Sequence, residues 1–290
     1  MERTFDIITD SGCDMPQAFF KEYGVTCVKL GFTMNNVNYE GENGEKIDEK
    51  TFYQKLRAGA MPTTYQVTGE TAKTYIEKSL KKGRDVLVIA FSSALSGTAN
   101  SFFVAQRELG KKYPKNTVCV VDSVCASMGQ GLLLWYVLQK AETGATVQQT
   151  ATYAEQCKGK ILHHFTVDNL FHLKRGGRVS TATAFVGSIL KIKPVLHVDE
   201  HGRLVSVGKT MGRKKALHAL VERFFTYRDE KETQVFISHG DCLTDAEYVR
   251  DLLLGRAPEL QITIGYIGAV IGSHSGAGTV ALFHKGKKRE

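Results

Sequence analysis

The sequence predicts an α/β protein of two domains, in which a parallel-sheet N-terminal domain and a mixed-sheet C-terminal domain hold a ligand between them. Short apolar runs rich in β-branched residues alternate with helical patterns, which is typical of βαβ units around a parallel sheet. A hairpin pattern in the second half indicates antiparallel pairing there. Hydroxyl, carboxylate or histidine residues follow the predicted strands in both halves, and strand carboxyl ends meet at the ligand crevice of open α/β sheets.

Residues 1–160 are predicted to form the N-terminal domain from strands that alternate with helices. The last of these helices is apolar on nearly every side, so we expect it to be buried. The predicted strands are Phe5–Thr9, Asp85–Phe91 and Thr117–Val121, and the predicted helices are Ala72–Leu80, Asn100–Leu109 and Gly131–Ala141.

Residues 161–290 are predicted to form the C-terminal domain, with the boundary near residues 158–162. A four-residue turn, Asp199–Gly202, separates two apolar runs and predicts a hairpin, so this sheet is expected to be mixed. The hairpin arms are Val195–Val198 and Leu204–Val207, two further strands are Gln234–Ser238 and Gln261–Ile267, and the helix between those strands is Asp245–Leu254.

Composition argues against several classes of protein. The 290 residues are 42% hydrophobic and 23% charged, as in a globular protein with an ordinary core. The longest apolar stretches fall well short of the ~20 residues that span a bilayer, and we expect no secretory signal. The 6 cysteines are scattered without a C-x-x-C pair, which favours reduced thiols in a cytoplasmic protein over disulfides or a structural zinc site.

The net charge of +8 is partly concentrated in two basic clusters, residues 213–215 and residues 285–289. Such runs bind nucleic acid, acidic lipid or an acidic protein partner, and more often they are solvated faces. No recognition-helix or stacking-aromatic motif accompanies them, so we expect no nucleic-acid partner. A transient contact with a membrane surface is compatible with this charge.

The segment Ser92–Thr98 connects a predicted strand to a predicted helix. Ser96 or Thr98 alone would cap that helix, whose free amides and dipole favour an anion. Three serines and a threonine around one glycine exceed what a cap requires. We therefore interpret the segment as a hydroxyl-rich anion cradle, with simple helix capping as the alternative.

Two further segments carry candidate ligand contacts. Thr64 follows Pro62, which predicts a loop over the sheet edge, although a turn with a helix N-cap is the simpler explanation of this stretch alone. His274 lies among the glycines of Gly268–Gly278, and glycine permits close approach of the backbone to a ligand. We expect His274 to lie in a loop against the ligand, and a neutral core histidine is the alternative.

A glycine pair, Gly176–Gly177, predicts a Schellman-type end for a helix that begins near Thr166. Arg178 would then lie on an exposed turn, before a helix that starts at Ser180. Its role stays open between a solvated surface arginine and an anion-binding group.

Two apparent catalytic motifs fail on inspection. Gly202–Thr210 resembles a phosphate loop, but its glycines are one residue too far apart and its interior is a hairpin arm. Gly272–Gly276 resembles a nucleophile elbow with histidine in place of the serine. We therefore predict an anion site without catalytic residues, metal or cofactor. The alternatives are a metal-dependent phosphotransferase or hydrolase that uses Asp10 or Asp122, and a regulatory module with a structural ligand.

Six motifs follow one another across nearly the whole chain: Ile8–Ser11, Thr63–Gln66, Ser92–Thr98, Val121–Ser123 with Ser127, Phe165–Ser180 and Gly268–Gly278. Together they resemble the DegV family, which includes the fatty-acid-binding subunits of bacterial fatty acid kinase. The order of the six motifs is more specific than any one of them.

The resemblance implies a protein without enzymatic activity of its own that encloses one long-chain fatty acid, such as palmitate. The acyl chain would lie in an apolar tunnel in the N-terminal domain, and the C-terminal domain would close over the carboxylate. Thr64, Ser93 or Ser96, and His274 would contact the carboxylate. A separate kinase subunit would phosphorylate the acid, an acyltransferase would take the acyl phosphate into phospholipid synthesis, and Arg178 would face the kinase or the phosphate.

Two positions depart from the family pattern. Tyr65 stands where the family usually has serine, so the hydrogen bonding of its segment is expected to differ. Met211 stands where the related segment usually has arginine, which removes one expected cationic contact unless Lys209 or Arg213 reaches the same space.

Overall fold

The computed structural model describes residues 3–168, 170–179 and 192–289. None of the helices in these ranges combines the length and the apolar composition needed to cross a bilayer. The strands are β1 Phe5–Asp10, β2 Val25–Val28, β3 Gly31–Met34, β4 Val37–Glu40, β5 Thr63–Tyr65, β6 Asp85–Ala90, β7 Val118–Asp122, β8 Ile161–Thr166, β9 Ile192–Val198, β10 Leu204–Met211, β11 Gln234–His239, β12 Gln261–Tyr266 and β13 Val280–Lys285. The helices are α1 Gln17–Glu22, α2 Glu49–Arg57, α3 Gly69–Leu80, α4 Thr98–Lys112, α5 Met128–Glu142, α6 Val147–Lys158, α7 Phe171–Arg175, α8 Arg213–Tyr227, α9 Leu243–Leu254 and α10 Ala269–Ser275.

The first sheet is parallel, as predicted, and has the strand order β2-β1-β6-β7. Helices cover both of its faces, so successive residues of one strand enter different cores. Ile7 packs in the core that contains α5, whereas Ile8 packs in the core that contains α3 and α4. The helix predicted to be buried is α5, in which Leu132, Leu133 and Leu134 have no exposed surface.

The second sheet is mixed, as predicted, and has the strand order β10-β9-β8-β13-β11-β12. β9 and β10 form the predicted hairpin, and β11 and β12 are parallel on either side of α9. β13 lies in the interior of the sheet and is antiparallel to both of its neighbours, β8 and β11. The N-terminal elements end with α6 at Lys158, and this sheet begins with β8 at Ile161.

A three-stranded antiparallel sheet, β4-β3-β5, forms a third layer together with α2, and the sequence patterns did not predict it. Phe52 and Tyr53 of α2 are fully buried and pack against Ala269 and Val270 of α10. The Tyr53 hydroxyl donates a hydrogen bond to the carbonyl oxygen of Ile267 at 2.9 Å. These contacts hold the third layer, and with it β5, against the C-terminal half of the chain.

Three local predictions were wrong. The chain is not helical from Thr166, because Ile161–Thr166 pairs with β13 as strand β8, and α7 begins only at Phe171. Thr64 lies in strand β5, which pairs with β3, and not in a loop. His274 lies in the last turn of α10, where the glycines serve helix packing: a Cβ at Gly272 would lie 2.5 Å from the Tyr53 hydroxyl.

The helix predicted to start at Ser180 lies outside the described residues.

Part of the C-terminal basic cluster is integrated into the fold rather than solvated. Arg289 is only 4% exposed, and its guanidinium donates to the carbonyl oxygens of Ile161 at 2.6 Å and Val124 at 2.5 Å. Lys285 forms an ion pair with Glu232. Because Val124 precedes α5 and Ile161 begins β8, Arg289 connects the two halves of the chain.

Candidate functional site

A cavity of about 320 Å³ lies between the N-terminal and C-terminal halves. Its volume falls within the range of ~300–1,000 Å³ that is typical of small-molecule sites. Most of its wall is apolar, and polar side chains interrupt the wall at a few places. The apolar wall includes Leu30, Phe91, Phe165, Leu173, Leu204 and Phe283, and the polar groups include Thr64, Gln66, Ser96, Arg178, His274 and Ser275.

The apolar wall is not confined to the N-terminal half. Phe91 follows β6 of the first sheet, whereas Phe165 and Phe283 come from β8 and β13 of the second sheet. A tunnel inside residues 1–160 alone therefore does not describe this cavity. Both sheets contribute apolar surface, so a ligand in this cavity would lie between the two halves and contact both of them.

Thr64 and His274 meet across the cavity wall. The Thr64 hydroxyl lies 2.8 Å from His274 Nε2, within hydrogen-bond distance. The two residues are 210 positions apart in the chain, and strand β5 and helix α10 bring them together. Two residues that the sequence motifs single out separately thus form one polar group at the boundary of an apolar space.

His274 is held in its neutral form near pH 7. Burial, together with the positive charges of Arg178 and Arg175, lowers its pKa to about 4. A neutral imidazole donates one hydrogen bond and accepts another, so its ring can donate to an anion without carrying a full charge. The two nearby guanidinium groups make the surroundings of the ring favourable for an anion.

Ser96 lies on the cavity wall, whereas Ser93 does not. The Ser96 hydroxyl accepts a hydrogen bond from the Thr98 amide at 3.3 Å, at the first residue of α4. This position supports the predicted anion cradle, because free amides and the helix dipole favour negative charge there. Ser93 is exposed, and its own amide donates to Asp122 Oδ1 at 3.1 Å. A contact between the Ser93 side chain and a ligand in this cavity does not fit that geometry.

Arg178 follows the predicted helix end but does not lie on an exposed turn. The Arg178 amide donates to Leu173 O and the Gly177 amide donates to Lys174 O, which is the Schellman pattern, with Gly177 at a φ of 69°. The guanidinium is half-buried on the cavity wall and donates from Nε to Leu95 O at 3.0 Å. A second bond from Nη1 reaches the Gly176 carbonyl oxygen at 2.5 Å. The prediction of a solvent-exposed arginine was therefore wrong.

The fold and the cavity agree with a family relationship that spans the chain. The model of an uncharacterised protein family, the DegV family, matches residues 4–286. The chain belongs to the DegV family. A DegV domain-containing protein of Clostridium perfringens is 40% identical over 289 residues, which cover 99% of both chains.

Solved DegV structures share the whole fold. The structure of a DegV family protein from Thermus thermophilus, described for its fatty acid binding, has a TM-score of 0.88 and 29% identity, and covers 99% of this chain and 100% of that chain. DegV of Bacillus subtilis, described as a fatty acid binding protein, has a TM-score of 0.84, 28% identity and the same coverage.

In this DegV protein the two strand-end aspartates serve the fold. Asp10 is fully buried, and its carboxylate accepts hydrogen bonds from the amides of Gly12 and Phe91 and from the Gln130 side chain. Burial raises its pKa to about 6 in spite of these donors. Asp122 Oδ1 accepts from the amides of Ser93 and Val124. Neither side chain is among the residues that line the cavity.

Within the described residues, no cluster of three or more histidine, cysteine, aspartate or glutamate side chains has a geometry that would hold a metal ion.

The two residues that depart from the DegV pattern, Tyr65 and Met211, differ in their position relative to the cavity. Tyr65 lines the cavity, is 41% exposed, and covers Gly31 so closely that a Cβ there would lie 2.1 Å from the ring. Met211 is 60% exposed and does not line the cavity. Arg213 does not substitute for an arginine at Met211, because Asp245 binds its guanidinium at 2.8 Å.

Several polar residues of the cavity wall were not predicted as site residues, among them Gln66, Ser127, His163, Ser275 and Thr279. Gln66 and Ser275 belong to the quoted motifs, but hydroxyl and amide residues recur throughout those motifs. Thr279 lies one residue beyond the last motif, and its hydroxyl donates to the carbonyl oxygen of Ser275 at 3.0 Å. Only the packing of α10 against β5 and the two sheets distinguishes these side chains from their neighbours.

Proposed function

We propose that this DegV protein binds one long-chain fatty acid, such as palmitate, in the cavity between its two halves. The observation that carries the proposal is the Thr64–His274 pair, a polar group at the boundary of a largely apolar cavity. Fatty acids have the matching chemistry, with one carboxylate and a long apolar chain. The fatty acid binding described for the Thermus thermophilus and Bacillus subtilis proteins supports the same ligand class.

The acyl chain would provide most of the affinity. Burying the 14 methylenes of a palmitate chain at about 0.8 kcal/mol each yields roughly 11 kcal/mol before the costs of association. Those costs include lost translational, rotational and chain freedom and remove several kcal/mol. The remainder corresponds to tight binding without any contribution from the carboxylate, which then mainly sets the direction in which the acid enters.

The carboxylate would lie near Thr64, Ser96 and His274. Hydroxyl groups and a neutral imidazole donate hydrogen bonds to it, and the charges of Arg175 and Arg178 favour the ionised form. Such donors hold the carboxylate more loosely than a paired arginine clamp would. An acid held in this way keeps its oxygens available to a reaction partner.

We further propose that a separate kinase transfers the γ-phosphoryl group of ATP to the bound carboxylate, leaving ADP, and that an acyltransferase then takes the acyl phosphate. The protein itself would contribute binding and orientation and no catalytic group. Arg178, on the cavity wall close to His274, would meet the carboxylate or the added phosphoryl group. This step rests on the family resemblance of the motifs and on the position of Arg178.

Mass spectrometry of lipid extracted from the purified protein tests the binding proposal. We expect a long-chain fatty acid at close to one equivalent, and Thr64→Val should weaken rebinding of palmitate by about tenfold, since it removes one hydrogen bond to a charged group. Thr63→Val is the matched control, because Thr63 is an exposed neighbour in the same strand and does not line the cavity. Absence of acyl ligand together with no uptake of added palmitate would refute the proposal.

Acyl phosphate formation with a separate fatty acid kinase subunit and ATP tests the second step. Arg178→Ala should lower the rate more than it lowers palmitate occupancy, because the developing phosphoryl charge loses a cation on the cavity wall. Lys174→Ala is the control, because Lys174 is an exposed cation on the preceding helix α7 and does not line the cavity. Equal rates for Arg178→Ala and the wild type would show that Arg178 has no part in the transfer.

A further inference from the structure

One hydroxyl group on the cavity wall has no hydrogen-bond partner. Ser275 is the last residue of α10, is 7% exposed, and lines the cavity, yet its Oγ makes no hydrogen bond in the described structure. A buried hydroxyl without a partner is unfavourable, because it has given up water without replacement. Such groups are uncommon in folded proteins and call for a specific explanation.

The neighbouring serine and threonine hydroxyl groups all find hydrogen-bond acceptors within the protein. Ser273, in the same helix, donates to the carbonyl oxygen of Ala269 at 2.7 Å, and Thr279 donates to the carbonyl oxygens of Ser275 and Gly276. Ser127, elsewhere on the cavity wall, donates to Asp14 Oδ2 at 2.6 Å. Ser127 and Thr279 line the cavity as Ser275 does, but of these hydroxyl groups only that of Ser275 makes no hydrogen bond.

We infer that Ser275 recognises a polar substituent on the bound acid, so that the substrate class includes fatty acids oxygenated near the carboxyl end. The inference rests on the proposed function and deepens it. Ser275 directly follows His274, which is expected to contact the carboxylate, and both residues line the same cavity. A hydroxyl on one of the first carbons, as in 2-hydroxy or 3-hydroxy acids, would lie within the reach of Ser275 Oγ and supply the missing partner.

The binding constants of palmitate, 2-hydroxypalmitate and 3-hydroxypalmitate for the full chain test this inference. For the wild type, we expect one of the two hydroxy acids to bind at least as tightly as palmitate, although the hydroxyl group of that acid loses its hydration on binding. In Ser275→Ala, affinity for that hydroxy acid should fall about tenfold, the effect of one buried hydrogen bond. Affinity for palmitate should stay equal or rise, because no unpaired hydroxyl remains.

Ser273→Ala is the matched control, since it removes a buried serine hydroxyl from the same helix without changing the cavity wall. It should leave the ratio of hydroxy acid to palmitate affinity unchanged, whatever it does to stability. The inference is overturned if the wild type binds palmitate but rejects both hydroxy acids, or if Ser275→Ala keeps the wild-type ratio. Failure of every acid to bind would instead refute the proposed function, so the two failures are distinct.

Discussion

Gly176 provides a test of His274 that leaves the histidine itself in place. An alanine Cβ at position 176 would lie 2.1 Å from His274 Nδ1 and 2.9 Å from its Cε1. Ordinary contact begins at 3.4 Å, so the imidazole must withdraw by 3.4 − 2.1 = 1.3 Å. The φ of −76° at Gly176 suits alanine, so the change acts on the ring and not on the backbone.

The expected effect on binding follows from the Thr64 contact. His274 Nε2 lies 2.8 Å from Thr64 Oγ1, and a ring displaced by this amount no longer presents the same geometry to Thr64 or to a ligand carboxylate. Losing a hydrogen bond to a charged group costs roughly 1.5–3 kcal/mol. We therefore expect Gly176→Ala to weaken palmitate binding roughly 10- to 100-fold.

Titration calorimetry or displacement of a fluorescent fatty acid measures this change, and Gly177→Ala is the control. Gly177 has a φ of 69° and no atom within 4 Å of an added Cβ, so alanine there strains the backbone by about 1–2 kcal/mol without touching His274. Gly177→Ala should lose stability and keep its affinity. Wild-type affinity in a folded Gly176→Ala variant would mean that His274 does not hold the carboxylate.

Two further predictions concern stability. Burial lowers the pKa of His164 well below 6.5 and the pKa of His284 to about 3, so the native state binds fewer protons than the unfolded state at acid pH. The lowered pKa values of His163 and His274 act in the same direction, whereas the raised pKa values of the buried Asp10 and Asp14 act in the opposite direction. Because the histidines outnumber the two carboxyls, the free energy of unfolding should fall below pH 6.5, with a contribution of up to about 1.4 kcal/mol per pH unit from each histidine; urea titrations with the same midpoint at pH 5 and pH 7 would contradict this. Arg289→Met should lower the free energy of unfolding by roughly 1–3 kcal/mol, since it leaves buried carbonyl oxygens unpaired; an unchanged urea midpoint would show that the arginine contributes nothing.

The two main sheets were predictable because their signals are local. Phe5–Asp10 and Asp85–Ala90 are apolar runs of strand length bounded by polar residues, and Asp199–Gly202 is a compact turn between two such runs. The helix Met128–Glu142 was recognisable because it is apolar on nearly every side. In each case the side-chain pattern over ten or fifteen residues is sufficient to indicate the element.

The elements that escaped prediction depend on distant partners. Ile161–Thr166 contains two adjacent histidines and is a strand only because β13 and β9 hydrogen-bond to it. Thr63–Tyr65 is a three-residue strand that exists through its pairing with β3. The glycines around His274 suggested a loop, whereas the close packing of Tyr53 on Gly272 makes them part of a helix.

The candidate site was predictable as a set of residue types but not as a geometry. Thr64, Ser96 and His274 were named from hydroxyl-rich and glycine-rich segments, and all three line one cavity. Ser93 carries the same signal as Ser96 and only Ala94 and Leu95 separate them, yet Ser93 is exposed. The burial of Arg178 depends on the Leu95 carbonyl oxygen, 83 residues away, and no local pattern records that contact.

The interior position of β13 has a consequence for how the protein is made. Val280–Lys285 is the last strand of the second sheet in chain order, yet it separates β8 from β11 and pairs with both. While the ribosome is still producing the chain, β8 and β11 have no common partner and their inner edges stay open. Domains made first generally fold first during synthesis, so the parallel sheet can assemble on the ribosome. The second sheet must wait until residue 285 has emerged, and nascent chains will need protection of two unpaired strand edges until then.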